Sequence, residues 1–327
     1  MSIFAKKRFP PSSPEKRANA DRVFVRPYFS MALHVLILML CIVFSNLYEH
    51  MLWWVLLAGV CGAVMVQIGF VGHDVTHGHL SSHATFQLAL SLICWNLLLG
   101  LSVQWWRDKH STHHKHTHVL GIDPDLYPLF AFDAKRAANM TGLHRWFVRH
   151  QHWLFWITLA SARLYFQWLS VAYLLKRGGA LRWAEWCLLI AHHLGFWYAV
   201  FTFLPQHGFT FIAVSYAVTG VYMGIVFATN HLGMPHATAS NGDRIWQAAH
   251  TRNIRTGIFG NYFFGGLNLQ IEHHLYPAQP RYRLYRLVDQ TRARCEQAGV
   301  PYHEQRLLPA LRDVYASLRT VAVAVKI

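Results

Sequence analysis

The run from Met51 to Gly72 holds no charged residue and leads directly into His73-Asp74-Val75-Thr76-His77. At a rise of about 1.5 Å per residue, a helix of that length crosses the roughly 30 Å hydrocarbon core of a bilayer. It therefore delivers two imidazoles, four residues apart and on one helical face, to a membrane surface. Further apolar runs cover Ser30 to Tyr48, Phe86 to Val103, Trp153 to Leu175, Trp186 to Leu204 and Phe209 to Thr229. Composition points the same way: 54% of the 327 residues are hydrophobic and 14% are charged, where soluble domains carry about 25% charged residues. The expected fold class is an all-α integral membrane protein.

A second histidine cluster, His110-Ser111-Thr112-His113-His114, follows the Phe86 to Val103 run. On a helix His110, His113 and His114 converge on one side. A third, Gln270-Ile271-Glu272-His273-His274, lies beyond the last apolar run, which itself ends on Asn230-His231. Imidazole is the commonest metal ligand, so the clusters imply a metal site if they share one side of the membrane. That condition restricts the topology. If Phe86 to Val103 crossed the bilayer, it would separate the first two clusters, so it is expected to dip in and return or to lie at the interface. Three runs separate the second cluster from the third, so one of these must not cross. Arg163 and Gln167 sit within Trp153 to Leu175, at a depth where arginine costs several kcal/mol, and that run is taken as interfacial. Four spans remain (30–48, 51–72, 186–204 and 209–229), with a cytoplasmic histidine-rich cap.

The formal charge is +15, which under the positive-inside rule places the basic tail and loops in the cytoplasm. Residues 1–29 read as a cytoplasmic tail without a signal peptide. Residues 30–285 read as the membrane-embedded unit, and 286–327 as a basic cytoplasmic segment, so that both termini are cytoplasmic. The basic residues are scattered and no reader motif occurs, which argues against nucleic acid as a partner. The five cysteines form no CxxC pair and read as small core residues.

His73, His77, His110, His113, His114, His231, His273 and His274 make eight candidate ligands, and Gln270 offers a carbonyl oxygen. So many donors suit two metal ions. Zinc hydrolysis would need only part of the set, and HExxH is absent. Two iron ions bound mainly by imidazole, next to a membrane-buried channel, point to oxygen activation on an apolar substrate. In Gly121-Ile122-Asp123-Pro124-Asp125, the carboxylates either make a turn or accept hydrogen bonds from ligand imidazoles. Asp74, Glu272 and Asn230 are further candidates for that supporting role. His79, His83, His116 and His118 fall outside the ligand register. His192 and His193 lie inside a span, where an ionisable pair is a functional candidate.

The motifs HDVTH, HSTHH and QIEHH resemble the three histidine boxes of the integral-membrane fatty-acid desaturases. Trp105-Trp106, the Asp-Pro-Asp turn, Asn230-His231, Thr251-Arg252-Asn253 and Leu275-Tyr276-Pro277 extend the likeness over roughly Gln67 to Arg283. The leading glutamine of the third box is similar to the front-end group. That group commonly carries a fused cytochrome b5 domain with a His-Pro-Gly-Gly motif, and no such domain is expected here. The resemblance implies a di-iron centre, dioxygen as co-substrate, a fatty-acyl substrate carried on lipid, coenzyme A or carrier protein, and an external electron donor such as ferredoxin or cytochrome b5. It also implies formation of a cis double bond. A hydroxylase or acetylenase shares the same boxes. From a different class, a metal transporter would place histidines along its spans.

Overall fold

The structure, a computed structural model, describes residues 14–47, 50–80, 83–237 and 244–325, with side chains from Tyr28 onward. Its helices are α1 (Pro14–Phe44), α2 (Met51–Thr76), α3 (Ala84–Leu92), α4 (Val103–Lys115), α5 (Ala134–Ala138), α6 (Gly142–Arg149), α7 (Gln151–Leu159), α8 (Ala162–Lys176), α9 (Ala180–Phe203), α10 (Gly208–His231), α11 (Ile258–Phe263), α12 (Gln270–Leu275), α13 (Val288–Gln297) and α14 (Leu307–Ala324). Two short strands, β1 (Arg252–Arg255) and β2 (His303–Arg306), complete it.

Among the described residues three helices, α2, α9 and α10, are long and apolar enough to span a bilayer, and the bent pair around α3 and α4 would be a fourth if it formed one broken span. Within the described residues the apolar part of α1 runs Tyr28–Phe44; Tyr48, the end of the span expected over 30–48, lies outside them. α1 packs against α2 as the second arm of a hairpin, with Trp53 Nε1–H donating to the Phe44 carbonyl at 2.9 Å. α2 and α10 approach closely at Gly62, where Thr219 Oγ1–H donates to the Gly62 carbonyl at 3.1 Å. Small residues permit such contacts between membrane helices, where lipid supplies no hydrophobic drive for association.

The segment expected to dip and return is sharply bent. α3 continues into a π-helical turn, Ile93–Leu98, and α4 leaves at 105° to that axis. Gly100 makes the corner with φ +68, a left-handed conformation that favours glycine. Two polar groups hold the bend: Asn96 Oδ1 accepts from Val103 N–H at 3.3 Å, and Asn96 Nδ2 donates to the buried Glu185 at 2.9 Å. His77, before the segment, and His110, after it, end with Nε2 atoms 2.9 Å apart. A chain that returns to its starting point makes no net crossing.

Trp153 to Leu175 is broken into α7 and α8, neither of them a span candidate. The interfacial placement of Arg163 needs correction. Its side chain is buried, lies 4.1 Å from the centre of the Tyr216 ring, and donates to the Leu99 carbonyl at 3.3 Å. Aromatic and carbonyl partners inside the bundle replace the water that the sequence reading assumed.

The parallel β1–β2 pair, Arg252 opposite His303 through Arg255 opposite Arg306, is a small departure from an all-α fold. It joins the chain after α10 to the C-terminal helix. α14 buries Ala310, Val314, Leu318 and Ala322, a stripe at four-residue spacing that docks on α7 and α10. Arg252 fixes the junction, donating to the carbonyls of Thr229 and Leu232 and to Asp313 at 3.0 Å.

Candidate metal centre

Four chain segments bring the histidines together. α2 ends on His73 and His77, and α10 ends on His231. α4 begins at Ser102, whose Oγ caps Trp105 N–H at 3.1 Å, and this sets the rotation that presents His110, His113 and His114. α12 is a short helix carrying Gln270, His273 and His274. Its position is imposed from outside: Asn253 Oδ1 accepts from Ile271 N–H at 2.9 Å, while Asn253 Nδ2 and the Tyr302 hydroxyl donate to Glu272 at 2.7 and 2.8 Å.

The nine candidate ligands occupy one continuous cluster with two foci. The ligand atoms of His73, His77, His110 and His273 lie within 4.8 Å of one another, and so do those of His113, His231 and His274. His114 stands between, its Nε2 3.2 Å from His110 Nε2 and 3.0 Å from His273 Nε2, with its ring 4.6 Å from that of His274. The Gln270 amide lies 3.4 Å from His231 Nε2 and 3.5 Å from His274 Nε2, and its Oε1 is buried without a partner. An amide's nitrogen and oxygen exchange places by a flip, so either atom can face the focus.

The donor set fits metal ions. A neutral imidazole has one N–H, and in several rings that proton is committed outward. His113 Nδ1–H donates to both oxygens of Asp123 at 3.0 Å. Gln247 Nε2 donates to the His114 carbonyl at 2.7 Å, which orients its amide so that Oε1 accepts from His274 Nδ1–H at 2.8 Å. In these rings Nε2 carries a lone pair directed into the cluster. Nitrogens bound to one ion at about 2.1 Å and roughly a right angle apart are separated by about 3 Å, which matches the 2.9, 3.2 and 3.0 Å contacts along His77, His110, His114 and His273. Burial lowers His113, but the Asp123 and Asp125 carboxylates outweigh it and raise that ring, whereas burial, then the neighbouring His79, pushes His77 down to about 3. Burial and adjacent imidazoles put His273 and His274 well below the ordinary histidine range. Burial alone would raise Asp123. The His113 ring and the N–H groups of Asp125 and His118 outweigh it and hold the carboxyl below its usual range.

The supporting candidates separate by contact. Asp123 touches a ligand ring, and Asp125 lies 3.3 Å from the same His113 Nδ1 while pairing with Lys109. Asp74 instead accepts from Arg281 Nε at 2.7 Å and faces His79 at 3.6 Å. Glu272 braces α12 through Asn253 and Tyr302. Asn230 donates to the Leu267 carbonyl at 3.1 Å, leaving its own oxygen without a partner. His192 donates to or accepts from nothing in the cluster; its Nδ1–H goes to the Leu97 carbonyl at 2.8 Å. Two supports went unread in the sequence. Gln247 sits in a 3₁₀ turn with no periodic signal, and Trp106 stacks on the His110 ring with centroids 5.2 Å apart; the pairing of Trp105 and Trp106 was the one available hint.

Two cavities meet the cluster. One is narrow and apolar, with His73 in its wall. The other is larger, reaching His231 and Asp123 between α7, α8 and α10. Phe166, Met223 and Phe227 belong to both.

A family model described as fatty acid desaturase matches residues 50–306. The chain is similar to Delta(8)-fatty-acid desaturase 2 of Arabidopsis thaliana, 31% identical over 279 residues that cover 79% of this chain and 60% of that protein. It is also similar to a Delta(8)-fatty-acid desaturase of Helianthus annuus (29% identical, 90% of this chain, 68% of the relative) and to an acyl-lipid (9-3)-desaturase of Borago officinalis (29%, 80% and 62%). The chain thus spans about three fifths to two thirds of the length of these relatives.

Proposed function

The chain belongs to the fatty acid desaturase family, and from that premise we propose that it is an oxygen-dependent fatty-acyl desaturase of the membrane with two iron ions at the histidine cluster. The observation that carries the reading is the adjacency of eight imidazoles and Gln270 to a narrow apolar cavity whose wall includes His73. In the overall reaction, two adjacent methylenes each lose one hydrogen and become a cis double bond. Dioxygen, two electrons and two protons are consumed with those two hydrogens, and two waters form. The chemistry that bound iron supplies there is the activation of dioxygen.

The residues do the placing. His73, His77, His110 and His273 form one holding set and His113, His231, His274 and Gln270 the other, with His114 between them. Asp123 and Gln247 fix which nitrogen of His113 and of His274 faces inward, the kind of support that raises ligand basicity and orients the ring. Trp106 and Phe227 limit water at the cavity wall and keep the acyl chain against the cluster. Electrons enter from a separate one-electron carrier such as a ferredoxin or cytochrome b5. Lys115, one residue past His114, is exposed, as is Arg244, whose charge reaches His77. A basic surface over the centre attracts an acidic carrier. With the clusters on the side that the basic tail marks, the centre and both ends face the cytoplasm.

The test is a fatty-acid profile, with derivatisation to locate double bonds, from cells that co-express a ferredoxin or a cytochrome b5. They carry either the wild type or the His113→Ala/His114→Ala variant. An unsaturated acyl species present only with the wild type supports the reading. A hydroxy-acyl product replaces it with a hydroxylase. Absence of any product with both carriers, from protein that purifies without iron, overturns it.

A further inference from the structure

Arg163 is the one lysine or arginine in the wall of the narrow apolar cavity. It is buried, and among the described residues no carboxylate pairs with it. A cation at this depth costs several kcal/mol, and a leucine would fill the space without that cost. What the guanidinium adds is a rigid planar group with several donors. From α8 it reaches Met65 on α2, the Leu99 carbonyl at the re-entrant corner and the face of Tyr216 on α10. Arg163 thereby ties together four elements at the end of the cavity remote from the cluster.

The depth of that cavity follows from α2, which lines it from His73 through Gly69 to Met65. Eight helical residues advance about 12 Å. An extended hydrocarbon with C–C bonds near 1.5 Å and angles near 111° advances about 1.25 Å per carbon, so roughly nine or ten carbons fit. The larger cavity carries Asp123, Asp125, Thr158 and Ser161 and suits the polar end of a substrate. The methyl end is left for the narrow one, whose lining is almost wholly apolar up to Arg163.

We infer that Arg163 is the stop of the acyl tunnel: a positioning residue that limits the carbons between the new double bond and the methyl end to about nine or ten. The inference rests on the desaturase reading. Shortening Arg163 opens the end, while a side chain at Gly69, four residues or about 6 Å above Met65, plugs the tunnel midway. The backbone tolerates a Cβ at Gly69, whose nearest neighbour would be Leu99 Cδ1 at 3.8 Å.

The experiment supplies cells expressing the full chain with a graded series of fatty acids. It measures how many carbons lie on the methyl side of each new double bond. Wild type should show a cut-off near ten. Arg163→Ala should extend it by roughly four carbons, the reach of the lost side chain at about 1.25 Å per carbon. Arg163→Lys should extend it less, and Gly69→Leu should reduce products with more than about five such carbons at least tenfold. A purely structural Arg163 would lower total product and leave the cut-off where it was. Active variants with an unmoved cut-off overturn the inference and leave the desaturase reading standing. A wild type that forms no double bond in any chain overturns that reading, and the inference with it. Should Arg163→Ala fail to accumulate, Gly69→Leu decides alone: an unchanged cut-off there refutes the tunnel.

Discussion

Replacing Asp123 by asparagine removes one charge and one acceptor from a site where three donors converge in four contacts. Asp123 Oδ1 accepts from His113 Nδ1–H at 3.0 Å and from Asp125 N–H at 2.9 Å; Oδ2 accepts from the same ring at 3.0 Å and from His118 N–H at 2.6 Å. Asparagine has a single carbonyl oxygen. In either amide orientation its NH₂ confronts a backbone N–H, of His118 or of Asp125, and leaves that buried donor unsatisfied at about 1–3 kcal/mol. The bond to His113 also becomes neutral, a further loss of about 1 kcal/mol. The expected destabilisation is about 2–4 kcal/mol. The metal affinity of the focus that includes His113, His231 and His274 should fall about 10–100-fold, as when a carboxylate supporting a ligand histidine is removed. Purified wild type, Asp123→Asn and Asp125→Asn would be dialysed against graded chelator. Metal per chain and thermal midpoint would then be read together. Asp125 is partly exposed and also engaged by Lys109, so its variant should retain metal closer to wild type. Asp123→Asn protein that is folded and holds metal as tightly as wild type would refute the argument that Asp123 orients the ligand.

Three other predictions concern the scaffold. Gly62→Ala should destabilise, because its Cβ would lie 2.3 Å from the Ser215 carbonyl oxygen, whereas Gly59→Ala, with nothing within 4 Å, should be neutral or stabilising by up to about 1 kcal/mol. Unfolding midpoints in detergent that move in the same direction for both would contradict the α2–α10 packing. Gly100→Ala should cost about 1–2 kcal/mol from its left-handed backbone alone, and more from a Cβ placed 2.3 Å from the His192 ring. Adding His192→Ala should recover the clash but not the strain, and complete recovery would count against the backbone argument. Finally, burial alone would raise Glu304, but Arg255 and Arg292 outweigh it and hold the carboxyl below its usual 4.5. The pairing therefore stabilises β2 fully above pH 4.5 and is lost as pH falls below that value. Hydrogen exchange should show the β1–β2 amides losing protection over that range in wild type and less so in Glu304→Gln.

What the sequence determined by itself was local and periodic. An uncharged run such as Met51 to Gly72 can do little but form a membrane helix. Spacings of three and four residues put His73 with His77, and His110 with His113 and His114, on common faces. The requirement that three clusters meet called for Phe86 to Val103 to turn back, and the chain bends sharply there and brings His77 within 2.9 Å of His110. Tertiary structure alone decided how the imidazoles divide into two foci, because that depends on approaches between residues as far apart as His114 and His273. It also decided which carboxylates touch a ligand. Asp74 and Asp123 look alike in their motifs, yet Arg281, distant in the chain, claims the first and His113 the second. Arg163 misled for the same reason. A charge inside an apolar run signals solvent unless aromatic and carbonyl groups from other helices stand where water would, and the one-dimensional pattern carries no record of those partners.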